Sequence, residues 1–422
     1  MRVTLCDPLA LIPGFEQARR EQSALWPAAQ PRWQPVHTVY VPADRFGTET
    51  VGRWGRAALE LFTRHLPGPG PLAGLFGVPE ETAADLHPRI AAKLAAEPVE
   101  DLRVDFEDGY GVRPAEEDGD TARAAAAVAA LHAAGALPRR WGLRVKSFAD
   151  GDPGRSLRTL DGFLTGVVER AGLLPEGFVV TFPKVLMEDY LRRFADCLGA
   201  LEEGLGLAAG TLRFELQVEA AQTLWFLHPR LAASLGGRLA AAHFGVFDYT
   251  AGCGLPPHEQ RLDHPACDHA RHVMQTAFAG TGVELSDGSL AAFPASGGTR
   301  DVHALWAHHA RLVRHSLRHG FYQGWDMHPS HLVSRYAAVY DFHLRHRAEY
   351  ARRVRAWQAR RGPEGAAGST AESSVEGTAQ GTAEGAVLDE PATVTTMSAA
   401  LRRAELALEP PRPCGSRGTG AA

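Results

Sequence analysis

The sequence predicts an α/β protein built as a TIM (β/α)8 barrel, with an N-terminal extension and a long connection after the first strand. Two observations predict it. Eight short runs rich in Val, Phe and Leu recur along the chain, each followed by a helical pattern, and strand-then-helix units in succession imply a parallel sheet that closes at eight. Polar side chains also gather at the C-terminal ends of those runs, where barrels of this kind carry their active face.

The strands are read in order as "TVYVPA" (38–43), "LRVDFED" (102–108), "GLRVKSF" (142–148), "GFVVTFPKV" (177–185), "LRFELQVE" (212–219), "AAAHFGVFDY" (240–249), "GSLAAFPA" (288–295) and "GFYQGWDMHP" (320–329). The seventh carries the weakest pattern. Between them, "AEEDGDTARAAAAVAALHAAG" has acids in its first turn and Gly at its end, where a helix starts and stops. "MEDYLRRFADCLGALEEGLG" and "HALWAHHARLVRHSLRHG" have apolar residues at helical spacing.

Three parts fall outside the repeat. Residues 1–36 form an extension with Trp26 and Trp33 among prolines, expected to lie against the barrel. Residues 47–100 make the long first connection, with two expected helices and the run "LPGPGPLAGLFG". That run lacks the Gly-Lys-Ser/Thr ending of a phosphate loop. The barrel domain is therefore placed at 37–361 and a low-complexity tail at 362–422, in which "TVTTMSAALRRAELAL" suits one short docking helix.

Composition excludes several classes of function. The 422 residues are 45% hydrophobic and 22% charged, which is globular. A net charge of -5 gives no broad basic field for nucleic acid. Five scattered cysteines suit a reducing cytoplasm better than a disulfide framework. No signal peptide opens the chain, and no apolar run approaches the roughly 20 residues of a membrane span. A cytoplasmic protein with neither nucleic-acid nor membrane partners is expected.

The strand ends present Glu107 and Asp108, Arg144 and Lys146, Lys184, Gln217 and Glu219, Asp248, then Asp326 and His328. Period-2 geometry puts Glu215, Gln217 and Glu219 on one face of their strand, opposite Phe214, Leu216 and Val218. The apolar face packs on helices, so the polar set is expected inside the barrel. Buried charges cost several kcal/mol each unless paired or bound to a cation. Structural ion pairing explains any one of these residues equally well, but pairing alone does not require them to collect at one end.

The motifs "VYVPADR", "VDFEDGYG", "LRVKSF", "FPKV", "LQVEAA", "GVFDYTAG" and "GFYQGWDMHPSHL" resemble, in order and spacing, the citrate lyase β-subunit-like (HpcH/HpaI) aldolase family over residues 37–345. The resemblance implies a Mg²⁺-dependent lyase that makes or breaks a carbon–carbon bond beside a carbonyl. Its implied substrate is a small oxo or hydroxy acid, free or as a CoA thioester, and its implied assembly is a trimer or hexamer. Glu219 and Asp248 match the metal ligands, and Arg144 the arginine that grips the substrate carboxylate. Glu107 and Asp108 match acids facing the metal's water shell, and His328 with Pro329 the closing His-Pro. Lys146 stands where the family usually has Asn, and Phe247 where it has an acid. The general base is open between a metal-bound hydroxide, His328 and a residue of a neighbouring subunit.

Mg²⁺ suits such a set, because it prefers oxygen ligands and typically needs one or two carboxylates. The alternative is a catalytically silent barrel serving as a binding or regulatory module. A zinc reading of Cys253, His258, His264, Cys267, His269 and His272 is weaker, because no tight C-x₂-C pair occurs and the segment leads into a helix. The His-rich run from His303 reads as a solvated helix face.

Overall fold

The computed structural model describes residues 11–27, 30–361 and 390–412. Eight parallel strands close on themselves in chain order, as expected. They are β1 (His37–Pro42), β2 (Asp101–Asp105), β3 (Arg140–Arg144), β4 (Val180–Phe182), β5 (Phe214–Val218), β6 (Leu239–Phe244), β7 (Glu284–Ser289) and β8 (Gln323–Asp326). Alternation sorts their side chains. Val39, Val41, Leu102, Val104, Leu143, Leu216 and Val218 are buried in the apolar shell beneath the helices. Tyr40, Arg103, Arg144, Glu215 and Gln217 face the axis.

The barrel centre is ionic. Arg103 is fully buried and forks onto Glu215 (Nη2–Oε2 2.7 Å, Nε–Oε1 3.1 Å), and it also contacts Asp101. Glu215 stays ionised, held down to about 2: burial opposes its charge, and Arg103 and His243 outweigh that penalty. The ladder between β5 and β6 has an irregularity at Phe214/Glu215.

Helices α1 (Phe15–Leu25), α2 (Thr50–His65), α3 (Pro69–Phe76) and α4 (Glu80–Ala96) belong to the extension and the first connection. The connection thus has three helices where two were expected. The Pro/Gly run itself is helical: Pro69 sits in the first turn, Gly77 ends it at φ 63°, and Leu72, Ala73 and Phe76 are buried. Near the barrel's lower end, Trp26 packs against Gly280, Trp33 lies under Arg139, and Gln34 bonds Leu285 and Gln323.

The outer layer continues as α5 (Glu117–Ala133), α6 (Pro153–Ala171), α7 (Glu188–Leu205), α8 (Ala221–Leu224), α9 (Pro229–Ser234), α10 (Val246–Gly252), α11 (Pro265–Phe278), α12 (Thr299–Arg318) and α13 (Pro329–Arg345). Then come α14 (Arg347–Arg361) and α15 (Pro391–Ala407). Val394 and Met397 of α15 pack on Val354, Tyr350 and Trp357 of α14. The low-complexity run between these two helices lies outside the described residues.

The seventh strand corrects the sequence reading, for it covers 284–289 and not 288–295. Its outward Asp287 is buried against Arg271 (2.9 Å), so an ion pair fills a position where an apolar residue was sought.

Candidate active site

Asp105, the last residue of β2, organises the mouth. Its carboxylate accepts the amides of Glu107 and Gly109 (both 2.9 Å), which closes the turn after the strand. A Cβ at position 109 would stand 2.5 Å from Asp105 Oδ2, so the turn needs glycine there. The same carboxylate takes a two-pronged contact from Arg144 at the end of β3 (Nε and Nη2, both 2.7 Å). Arg144 Nη1 is 3.0 Å from Glu107, and the guanidinium lies over the rings of Tyr40 (5.0 Å) and Trp325 (5.5 Å).

Lys184 follows β4 with φ 49°, in the left-handed region that non-glycine residues rarely adopt. Its amide donates to Glu219 Oε1 (2.7 Å), while its ammonium contacts Glu107, reaches both oxygens of Asp108 (2.7 Å) and lies 3.6 Å from Asp248. The ammonium stays charged: burial works against it, and Glu107 and Asp108 overcome that effect.

Glu219 is 3% exposed, and its second oxygen accepts from Gln217 Nε2 (2.9 Å). Its acidity is pushed up to about 8, first by burial and then by the neighbouring charge of Glu107. Gln217 Oε1 is buried without a hydrogen-bond partner among the described residues. A Cβ at Gly245, after β6, would fall 2.5 Å from Glu219 Cβ, so glycine there admits the side chain. Glu219, Asp248, Asp108, Gln217 and Arg144 line one cavity of about 500 Å³ with Tyr40, Phe247 and Trp325. The candidate donors Glu219, Asp248 and Gln217 all offer oxygens, one of them an orphaned amide carbonyl, and the buried acid Glu219 is held back from ionising. Such a set fits a hard divalent cation.

Three sequence-predicted residues stand elsewhere. Lys146 turns to the carbonyls of Phe106 (2.6 Å) and Gly111 (3.1 Å) and so ties down the loop after β2. His328 caps α13, with Nδ1 on Ser330 (2.8 Å) and its ring beside Phe293. Asp326 is a correction: it points outward to Arg335 (2.7 Å), His309 (3.3 Å) and His37 (3.5 Å), because alternation in β8 turns Trp325 inward. Asp105, Tyr40 and Trp325 were missed. The period that selected Glu215 and Gln217 also marks these three as axial. The zinc candidates do not assemble among the described residues: Cys253 is exposed, Cys267 is buried on Arg261 O, and His264 caps α11.

No curated protein matches the chain. Solved structures do. A citrate lyase from Burkholderia xenovorans LB400 is 18% identical, with 90% of this chain and 96% of that one covered and a TM-score of 0.59. Haloferax volcanii malate synthase is 17% identical at a TM-score of 0.50 in its lead(II) complex, with 74% of each chain covered. Its magnesium/glyoxylate complex gives the same identity and TM-score, with 74% of this chain and 76% of that one covered. The fold is thus that of the barrels the sequence resembles. A family model matches residues 15–407, and the chain belongs to that family, described as a domain of unknown function (DUF6986).

Proposed function

We propose that the chain is a Mg²⁺-dependent carbon–carbon lyase or aldolase acting on a small oxo or hydroxy acid, free or as a CoA thioester. One observation carries the reading: Glu219, Asp248 and the unpartnered Gln217 carbonyl border the same cavity as Arg144. Glu219 and Asp248 would hold the ion, with Gln217 as a further oxygen donor. Bound there, Mg²⁺ supplies a Lewis acid for the substrate carbonyl.

The chain's own groups do the rest. Asp105 takes two of the five N–H donors of Arg144 and Glu107 lies 3.0 Å from Nη1, so N–H groups of Nη1 and Nη2 remain for a carboxylate. The rings of Tyr40 and Trp325 lie against its guanidinium at 5.0 and 5.5 Å. Lys184 balances Glu107 and Asp108 at the rim. Small acids are known to occupy a barrel of this shape, since the malate synthase complex holds glyoxylate.

Lys184 also favours a second reading, a silent barrel, because its ammonium compensates the acids without a metal. Calorimetric Mg²⁺ titration and solvent-deuterium exchange into the methyl group of pyruvate separate the two. The lyase reading expects Mg²⁺ binding that weakens at least tenfold in Glu219→Gln, and exchange that disappears with it. Equal Mg²⁺ affinity in both proteins overturns the ligand assignment. The proposal includes a homo-oligomer, trimer or hexamer, supported by exposed Val112, Met187, Trp225 and Phe293 on the loops after β2, β4, β5 and β7. Sedimentation velocity checks it, and a monomer at micromolar concentration refutes it.

A further inference from the structure

We infer a second metal site, for a transition ion of the Zn²⁺ class, on the outer helical layer between α11 and α12, formed by Asp268, His315 and His319. It is separate from the mouth and made of different donors. His315 lies in the last turn of α12 and His319 caps that helix, while Asp268 comes from the first turn of α11. The four-residue spacing sets the two imidazoles beside one another on one helix face, with ring centroids 4.5 Å apart and planes tilted by 41°.

Asp268 Oδ1 lies 2.8 Å from His315 Nε2 and 3.6 Å from His319 Nε2. A tetrahedral ion bonded at about 2.0–2.1 Å holds its ligand atoms about 3.3 Å apart, and these distances straddle that value. Tautomer and orientation are already set. His319 Nδ1 is 3.0 Å from the carbonyl of His315, which only accepts, so Nδ1 carries a proton and Nε2 is the ring nitrogen turned to the carboxylate. His315 Nε2 hydrogen-bonds the same carboxylate oxygen, so a bound cation takes the place of the proton they share.

The same Oδ1 of Asp268 accepts from the fully buried Arg271 (2.6 Å), which also holds Asp287 and the carbonyl of Leu262 and so fixes the carboxylate in place. Outer partners of this kind are what orient metal ligands. The side chains keep 23–26% of their surface exposed, so an ion reaches them from solvent. His272, one helical turn beyond Asp268 with its ring 5.6 Å from that of His319, or a water takes the fourth position. Nitrogen donors select Zn²⁺, Ni²⁺ or Co²⁺ over Mg²⁺, so the two sites sort their ions by chemistry.

The test uses the full, tag-free chain in excess Mg²⁺. It is titrated with Co²⁺ by visible absorption and with Zn²⁺ by calorimetry, on wild type, His315→Ala, His319→Ala and Glu219→Gln. Circular dichroism confirms folding of each variant. The expected result is one Zn²⁺ per chain, an intense tetrahedral Co²⁺ band displaced by Zn²⁺, and a Zn²⁺-induced rise in Tm. These persist in Glu219→Gln, and affinity falls at least tenfold in each histidine variant. Unchanged affinity in either folded histidine variant overturns the proposal, as does absence of binding at micromolar Zn²⁺. Loss of the site in Glu219→Gln also overturns it, because the ion would then sit in the mouth. The lyase reading stands or falls by Mg²⁺ and exchange alone, so the two failures are distinguishable.

Discussion

Asp105 shows how one carboxylate can fix both a backbone and a cation. It closes the turn after β2 and presents Arg144 at a set angle, with no direct need to touch a ligand. Asp105→Asn keeps the shape and removes the charge opposite a buried guanidinium. It is expected to lower the unfolding free energy by about 3 kcal/mol, read from urea denaturation. Glu219 gives a pH prediction. Its ordinary value of 4.5 is raised to about 8 in the fold, so between these limits the folded chain holds a proton that the unfolded chain has lost. Stability from this group is therefore fully present below about 4.5 and is lost as pH rises through about 8. Metal-free wild type should lose more Tm between about pH 5 and pH 8.5 than Glu219→Gln does. A parallel decline in both proteins contradicts the assignment. Mg²⁺ binding below about pH 8 should also release a proton, seen as a buffer-dependent calorimetric heat. Charged residues at strand ends were legible in the sequence because their type is conspicuous. Asp105, Tyr40 and Trp325 were not singled out, because each reads as an ordinary member of an alternating strand until neighbouring strands supply Arg144. Asp326 misled for the converse reason: its charge suggested the mouth, while its buried partners on α12 and α13 are invisible in a linear pattern.

Among elements, the closest packing lies where strands meet without side chains. A Cβ at Gly142 of β3 would stand 1.7 Å from the carbonyl of Val179, just before β4. Gly142→Ala is expected to force these segments apart and cost about 3 kcal/mol, measured by denaturant melts. Gly245→Ala tests the site itself, since the added methyl meets Glu219 first. Mg²⁺ affinity should fall while Tm changes little, and the reverse pattern would assign Gly245 to stability alone. The strands and their order were readable because apolar runs alternate with helical periods. The limits of β7 were not, since Asp287 is satisfied by Arg271 of α11, a partner that the strand's own pattern does not reveal. Helix α3 hid behind Pro and Gly, residues that break helices inside and favour them at their ends.

At the scale of the whole molecule, α15 returns after the low-complexity run to cover an apolar stripe of α14. Ending the chain at residue 361 would expose Val354 beside Tyr350 and Trp357. The shortened protein should keep its far-UV spectrum, lose Tm and self-associate, checked by thermal melts and light scattering; an unchanged Tm would show that α15 adds nothing. The ionic centre of the barrel has a further consequence, one of depth. Arg103 lies two residues below Asp105, roughly 7 Å down the axis, and with Asp101 and Glu215 it forms a charged plug. A molecule entering from the mouth meets a floor there, and only its short acidic end can lie beneath the rim. Whatever else it carries must rise outward among the loops, so selectivity for length is written in those loops and selectivity for the acid in the strands.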